Sequence, residues 1–263
     1  MGCRNPRKAQ TARDSIVAAT GSQMVSVIGI DLAKMKHVTK FVENFREKFD
    51  RLDVIINNAA TGVSDADKKR SETPEGLELV MATNHLGPLH LTKSLLPLLS
   101  KDGVVITMSG SPDMTQTVDM DNLNSDTDYD LNSETDYDPV TLYGRTKLFN
   151  IMMTRELAVR SAESRPGVSF YSVDPGFTWT NLHSSLLHPA TTWGVWLAGP
   201  VLGAALASTA ASTPVWLAGG GAMGNWSGEH WTHCAMSGGG QGGQVERAKL
   251  WGESEKLIDK ALL

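Results

Sequence analysis

The 263-residue sequence is short of several things, and each shortage narrows what the protein can be. Its two cysteines, Cys3 and Cys234, are too few for a disulfide framework and lack the paired spacing of a zinc site, which suits a reducing compartment. There is no long Lys/Arg run, and 24 basic residues face 29 acidic ones for a net charge of -5, which argues against nucleic acid as the main partner. The opening Met1-Gly2-Cys3-Arg4-Asn5-Pro6-Arg7 has no apolar core of the kind a secretory leader carries. No apolar run is as long as the roughly 20 residues a membrane span needs; the strongest, Trp193 to Ala207, is broken by Gly199-Pro200. These absences predict a cytoplasmic globular protein without a membrane span. The 41% hydrophobic content is ample for one packed domain over residues 1–263.

Charge is strongly segregated. Residues 113–138 hold nine of the 29 acids and no Lys or Arg, so that outside them 20 acids face 24 bases. The same stretch contains a tandem near-repeat, Leu123 to Asp130 followed by Leu131 to Asp138, and reads as a solvated acidic insertion. A calcium loop around Asp119 and Asp121 is disfavoured, because the central Gly and closing Glu of an EF-hand are missing. From Pro175 to Gly228 there is no charged residue at all. That tract, within a C-terminal region 177–263, is better read as a buried or substrate-covering segment than as a membrane contact.

What is present is an alternation of short apolar runs and amphipathic stretches. Strands are predicted at Met24 to Ile30, Leu52 to Asn57, Val104 to Met108 and Val168 to Val173. Helices are predicted from Asn5-Pro6 to Thr20, at helical spacing from Met35 to Phe49, from Thr73-Pro74 to about Leu99, from Thr141 to Ser164, and from Val245 to Leu262. Strands of five to seven residues alternating with long helices predict β-α-β units on a parallel sheet, whose ligands sit beyond the carboxyl ends of the strands.

The residues at those ends carry the chemistry. Strand 52–57 ends in Asn57-Asn58-Ala59-Ala60, strand 104–108 in Ser109, and strand 168–173 in Asp174-Pro175-Gly176. Tyr143 and Lys147 stand four apart on one helix face. A phenol with an ordinary pKa near 10 is a poor base at neutral pH, and an ammonium one turn away is expected to lower that value and make Tyr143 a usable acid/base. Asn84 could equally cap or kink its helix, and Asn57 could simply brace the sheet.

Taken in order, Asn57-Asn58-Ala59, Asn84-His85-Leu86-Gly87, Ser109, Tyr143-Gly144-Arg145-Thr146-Lys147 and Pro175-Gly176 with Thr180 beyond it resemble the short-chain dehydrogenase/reductase family. The long spacer between Ser109 and Tyr143 and the Leu250-Trp251-Gly252-Glu253-Ser254-Glu255 ending resemble its retinol-dehydrogenase-like branch, which includes the WW-domain oxidoreductase type. The resemblance implies a Rossmann-like doubly wound parallel sheet. It also implies Tyr143 as acid/base, Lys147 as its partner and ribose ligand, Ser109 as the group polarising the substrate oxygen, and Asn84 as support for Lys147 through a water. Ser111 is a weaker competitor for the serine role. Cofactor contacts would come from Arg4, Asp31, Asn57, Asn58, Ala59, Tyr143, Lys147, Pro175, Gly176 and Thr180, with no metal. Arg4, in Cys3-Arg4-Asn5, would pair with an adenosine 2′-phosphate, so NADP(H) is favoured over NAD(H). Asp31 would contact adenine or else cap a helix.

On this alignment the family's first strand and its Thr-Gly-x-x-x-Gly-x-Gly loop would lie upstream of Met1. The Gly-x-Gly-x-x-Gly matches at Gly219 to Gly224 and Gly238 to Gly243 are read as chance, each lacking a strand before and a helix after. The favoured function is an NADP(H)-dependent oxidoreductase acting on a small apolar alcohol or carbonyl compound. The alternatives are a remnant that keeps the site but holds dinucleotide poorly, and a scaffold that binds a partner or membrane surface through its charge-free tract.

Overall fold

The computed structural model describes residues 1–62, 70–111, 119–126, 139–176, 207–222, 226–238 and 242–263. The elements run β1 (Gly2–Cys3), α1 (Pro6–Thr20), β2 (Ile28–Gly29), α2 (Met35–Arg46) and β3 (Leu52–Asn57). They continue as α3 (Leu79–Met81), a π-helical turn (Ala82–Leu86), α4 (Gly87–Leu95), a 3-10 turn (Leu96–Leu98), β4 (Leu99–Met108), α5 (Pro139–Ser161) and β5 (Ser169–Asp174). Last come α6 (Ala207–Ala210), α7 (Ser212–Ala218), β6 (His230–Thr232), β7 (Ala235–Met236) and α8 (Gln244–Leu262).

The expected α/β architecture is present. β3, β4, β5 and β6 pair in parallel in that order, and β7 closes the edge antiparallel. Period-2 alternation sorts the strand side chains: Ile55, Val105 and Phe170 enter the larger core with Met35, Val38, Phe41, Leu89, Phe149, Met153 and Trp251 from α2, α4, α5 and α8. Ile106, Met108, Tyr171 and Val173 point to the opposite face and pack on Leu217 of α7 and Trp231 of β6. Each fully buried side chain of this size is worth about 2 kcal/mol, so the larger core dominates the stability.

The sheet is divided. β1 and β2 form a separate parallel pair, and among the described residues no strand joins β1 to β3. Helix α1 starts as expected, with Asn5 accepting from Lys8 N and Pro6 in the first turn. It nevertheless buries only Ala9 and leaves Ile16 exposed. The first unit is instead tied to the rest through α2. The Glu75 carboxylate accepts from the amides of Met35 (2.6 Å) and Lys36 (3.2 Å) at the α2 N-terminus, where the exposed helix dipole favours negative charge. The backbone after β2 also lies on α4: a Cβ at Gly87 would come within 2.2 Å of the Leu32 carbonyl oxygen.

Three expectations are corrected. The helix predicted from Thr73 begins at α3, because Gly76 (φ 78°) turns the chain and the buried Glu78 caps it, accepting from Val80 N and Met81 N. The acidic insertion is not wholly solvated: Asn122, Leu123, Asn124 and Ser125 are buried. Asn124 accepts from Glu78 N and donates to the Gly76 carbonyl, while Arg70 clamps Asn124 O and Asp126. Finally, the Gly238–Gly243 run does stand between a strand, β7, and a helix, α8. The Gly243 amide that opens α8 is occupied by the Glu246 carboxylate at 2.5 Å, so that amide is not open to a phosphate. Residues 112–118, 127–138 and 177–206, with Thr180 and most of the Trp193–Ala207 run, lie outside the described residues. Among the described residues no helix is long and apolar enough to cross a membrane.

Candidate active site

Parallel pairing brings the carboxyl ends of β3, β4 and β5 to one edge, and α5 crosses them on the larger-core face. Ser109 follows β4 directly; its amide donates to Val173 O of the neighbouring strand at 2.7 Å and only 3% of the residue is exposed. On α5, Lys147 is 4% exposed and donates from Nζ to the Met108 carbonyl at 3.2 Å, the residue just before Ser109. Its ammonium lies 5.3 Å from the centroid of the Tyr143 ring. Ser109, Tyr143 and Lys147 thus share one strand-end region.

The electrostatics differ from the expectation in one respect. Burial pushes the Tyr143 phenol up to about 12, with the nearby Asp174 carboxylate adding to the rise, whereas it was expected to fall. Helical spacing brings the ammonium beside the ring, but Lys147 is turned to a backbone carbonyl and removal of the phenol from water dominates. Burial likewise drags Lys147 down to about 8, partly opposed by Asp174. Asp174 therefore belongs to the site. It ends β5 and accepts from the Gly176 amide at 2.8 Å, holding the Pro175-Gly176 turn, where Gly176 takes φ 70°. Its position at a strand end was the signal that could have found it.

Asn84 sits in the π-helical turn, the irregularity its possible kinking role anticipated. Its side chain braces Thr61, accepting from the Thr61 amide (2.8 Å) and donating to the Thr61 carbonyl (2.9 Å), and also donates to Thr146 Oγ1. The Asn84 carbonyl accepts from Asn150 Nδ2 at 3.0 Å, and the same amide also donates to Met108 O at 3.2 Å. Asn84 is thus linked to Lys147 through the Asn150 amide and the shared Met108 carbonyl. Asn150 was missed as a site residue, although it follows Lys147 by three positions and so lies on the same helix face. Asn57 is buried and donates to Thr92 Oγ1 and Thr107 Oγ1, which is the sheet-bracing reading. Asn58 and Ala59 are exposed beyond it.

The remaining candidates lie on the first unit. Arg4 is exposed just beyond β1. Asp31 accepts from Ala33 N at 3.2 Å and lies 3.6 Å from Lys34 Nζ; it closes the turn before α2 and does not cap that helix, whose N-cap position is Lys34. The residues fit one half of a dinucleotide. Lys147 has three ammonium donors, one of them given to Met108 O, and is the residue that would hold a nicotinamide ribose. Among the described residues no strand is followed by a glycine-rich turn opening a helix with free amides, the usual seat of a pyrophosphate. Among the described residues there is also no cluster of ligands for a metal.

A parallel α/β sheet flanked by helices, with a Tyr-x-x-x-Lys helix laid over a strand-end serine, defines a protein of the Rossmann-like α/β class. Comparison with known proteins is specific. Residues 2–116 match the family model of short chain dehydrogenases. Dehydrogenase/reductase SDR family member 12 of Bos taurus is 34% identical over 224 residues, covering 82% of this chain and 62% of that protein. Retinol dehydrogenase 11 of Homo sapiens is 31% identical over 201 residues, covering 75% of this chain and 58% of that protein. Among solved structures, an uncharacterized protein from Mycobacterium paratuberculosis superposes with a TM-score of 0.71 at 23% identity, over 98% of this chain and 83% of that one. The chain belongs to the short-chain dehydrogenase/reductase family, in its retinol-dehydrogenase-like branch. It spans about three fifths of the length of the two curated relatives.

Proposed function

We propose that the chain is an NADP(H)-dependent oxidoreductase that interconverts a small apolar alcohol and its carbonyl compound. The observation that carries this reading is the packing of Tyr143 and the buried Lys147 on one face of α5, against the β4 end that bears Ser109. When bound, the nicotinamide supplies or accepts the hydride. The chain's own residues manage the oxygen. In the reducing direction Ser109 donates a hydrogen bond to the carbonyl oxygen, and Tyr143 Oη gives up its proton to that oxygen as negative charge develops there. A phenol held near 12 is fully protonated at neutral pH and so is loaded for this direction. Lys147, mostly protonated below pH 8, stabilises the phenolate that remains. The exposed guanidinium of Arg4 supports the preference for a 2′-phosphate.

The test is titration of the purified protein with NADPH, followed by thermal shift and by turnover of an apolar aldehyde. Stabilisation by NADPH is expected, with turnover abolished in Tyr143→Phe while cofactor binding stays within about twofold. Turnover retained in Tyr143→Phe refutes the role of Tyr143. A second reading, a site that persists without tight dinucleotide binding, is favoured by the occupied amide of Gly243 and the lack of another glycine turn before a helix among the described residues. No stabilisation at millimolar NADPH would select it.

A further inference from the structure

His230 has no part in the machinery above, yet it lies beneath it. The parallel pairing of β5 and β6 puts Ser172 and His230 in register, and Ser109 hydrogen-bonds to β5 from the other side through Val173 O. Three polar side chains thus form a row across the strand ends. The His230 ring is 1% exposed, with Nδ1 3.0 Å from Ser172 Oγ and 3.4 Å from Ser109 Oγ. Its other nitrogen, Nε2, is buried without a hydrogen-bond partner among the described residues.

These contacts decide the tautomer. A buried imidazole is held neutral and carries one N–H; burial lowers the affinity of His230 for a second proton. If that hydrogen were on Nε2, a buried donor would have no acceptor, and both serine hydroxyls would compete for one lone pair on Nδ1. With the hydrogen on Nδ1, the ring donates to the two serine oxygens, and only an acceptor is left unmatched. Unpaired buried N–H groups are the rarer and costlier defect. We infer that His230 is a positioning residue for Ser109: its Nδ1–H donates to the two serine oxygens, mainly Ser172 and secondarily Ser109, and so leaves the Ser109 hydroxyl hydrogen free to point at the substrate oxygen. The catalytic consequence rests on the oxidoreductase reading above; the hydrogen-bond assignment does not.

The experiment has two arms on the full chain. In the first, 15N-histidine-labelled protein is examined by long-range 15N correlation NMR, with the His230 ring assigned by its loss in His230→Asn. A protonated Nδ1 and an unprotonated Nε2 are expected, with the Nδ1 resonance shifting in Ser109→Ala and in Ser172→Ala. A protonated Nε2, or a His230 ring unmoved by Ser109→Ala, overturns the inference whether or not the chain turns over. In the second, His230→Phe is expected to lower kcat at least tenfold while the carbonyl KM and the NADPH-induced thermal shift stay within twofold. His230→Asn, whose amide N–H stands near the former Nδ1–H, is expected to restore most of kcat. A His230→Phe kcat within threefold of wild type, with Ser109→Ala inactive, overturns the positioning role. Turnover that survives both Ser109→Ala and Tyr143→Phe, or that is absent in the wild type, refutes the oxidoreductase reading and its catalytic consequence, and the NMR arm still decides the hydrogen bond.

Discussion

Lys147 keeps a charge where the fold disfavours it, so replacing it should strengthen the protein. Burial lowers its pKa from 10.5 to about 8, and at neutral pH holding the ammonium in the interior therefore costs about 3 kcal/mol relative to the unfolded chain. Lys147→Met keeps most of the aliphatic volume and loses the bond to Met108 O, worth about 1 kcal/mol, although Asn150 still donates to that carbonyl. A net gain of about 2 kcal/mol is expected at pH 7, measured by urea unfolding. The folded-state pKa lies below the unfolded one, so between pH 8 and 10.5 the folded chain sheds the proton while the unfolded chain keeps it. Wild-type stability thus rises through that window and the advantage of the variant disappears above it. A variant less stable than wild type at pH 7, or an advantage unchanged at pH 10.5, would refute the reasoning. Turnover should be lost in the same variant, the usual exchange of stability against function in a site.

His85 is fully buried between Asn150 and Ser254, and burial lowers its pKa from 6.5 to about 4. Wild-type stability should fall by about 3 kcal/mol as the pH drops from 6.5 to 4 and then level off; in His85→Gln that part of the acid slope should vanish, and an unchanged slope in acid titration by circular dichroism would contradict the assignment. Gly87→Ala should cost about 3 kcal/mol, because its Cβ would meet the Leu32 carbonyl at 2.2 Å and α4 would be pushed from the first unit; a change in chemical-denaturation midpoint too small for 1 kcal/mol would show that the contact relaxes freely. Asn150→Leu leaves the Asn84 and Met108 carbonyls short of a donor and should cost about 2 kcal/mol. A loss below 0.5 kcal/mol in urea would mean that other groups serve them.

Much of the framework could be read before any coordinates. Strand 52–57 coincides with β3, and the helices around Tyr143 and before Leu262 fall within a few residues of α5 and α8. In each, a long hydrophobic period coincides with a buried face, and propensity and packing agree. Failures came where a local event overrides periodicity. Thr73-Pro74 looks like a helix start, but a left-handed Gly76 postpones the helix to Glu78. The π-helical turn that carries Asn84 leaves no mark on a 3.6-residue pattern. β6 has three residues, too few to show alternation, so His230 was invisible. Composition made residues 113–138 look uniformly solvated, although a single side chain, Asn124, docks part of them. The place of Ser109 just after a strand and of Tyr143 and Lys147 on one helix followed from order and spacing. The direction of the Tyr143 shift did not, because spacing reports neighbours and says nothing of how much water the fold excludes.

The divided sheet has a consequence for dynamics. The β1–α2 unit and the β3–β7 sheet share no backbone ladder among the described residues, and their link is α2 with its Glu75 cap and the Gly87 contact. Amide hydrogens of β1 and β2 should therefore exchange through a local opening that costs far less than global unfolding, while those of β4 and β5 wait for the whole domain. Arg4 and Asp31 travel with the labile unit, whereas Ser109, Tyr143 and Lys147 travel with the protected one. A dinucleotide long enough to touch both groups would act as a clasp, slowing exchange in β1 and β2 more than anywhere else, in proportion to its concentration over its dissociation constant.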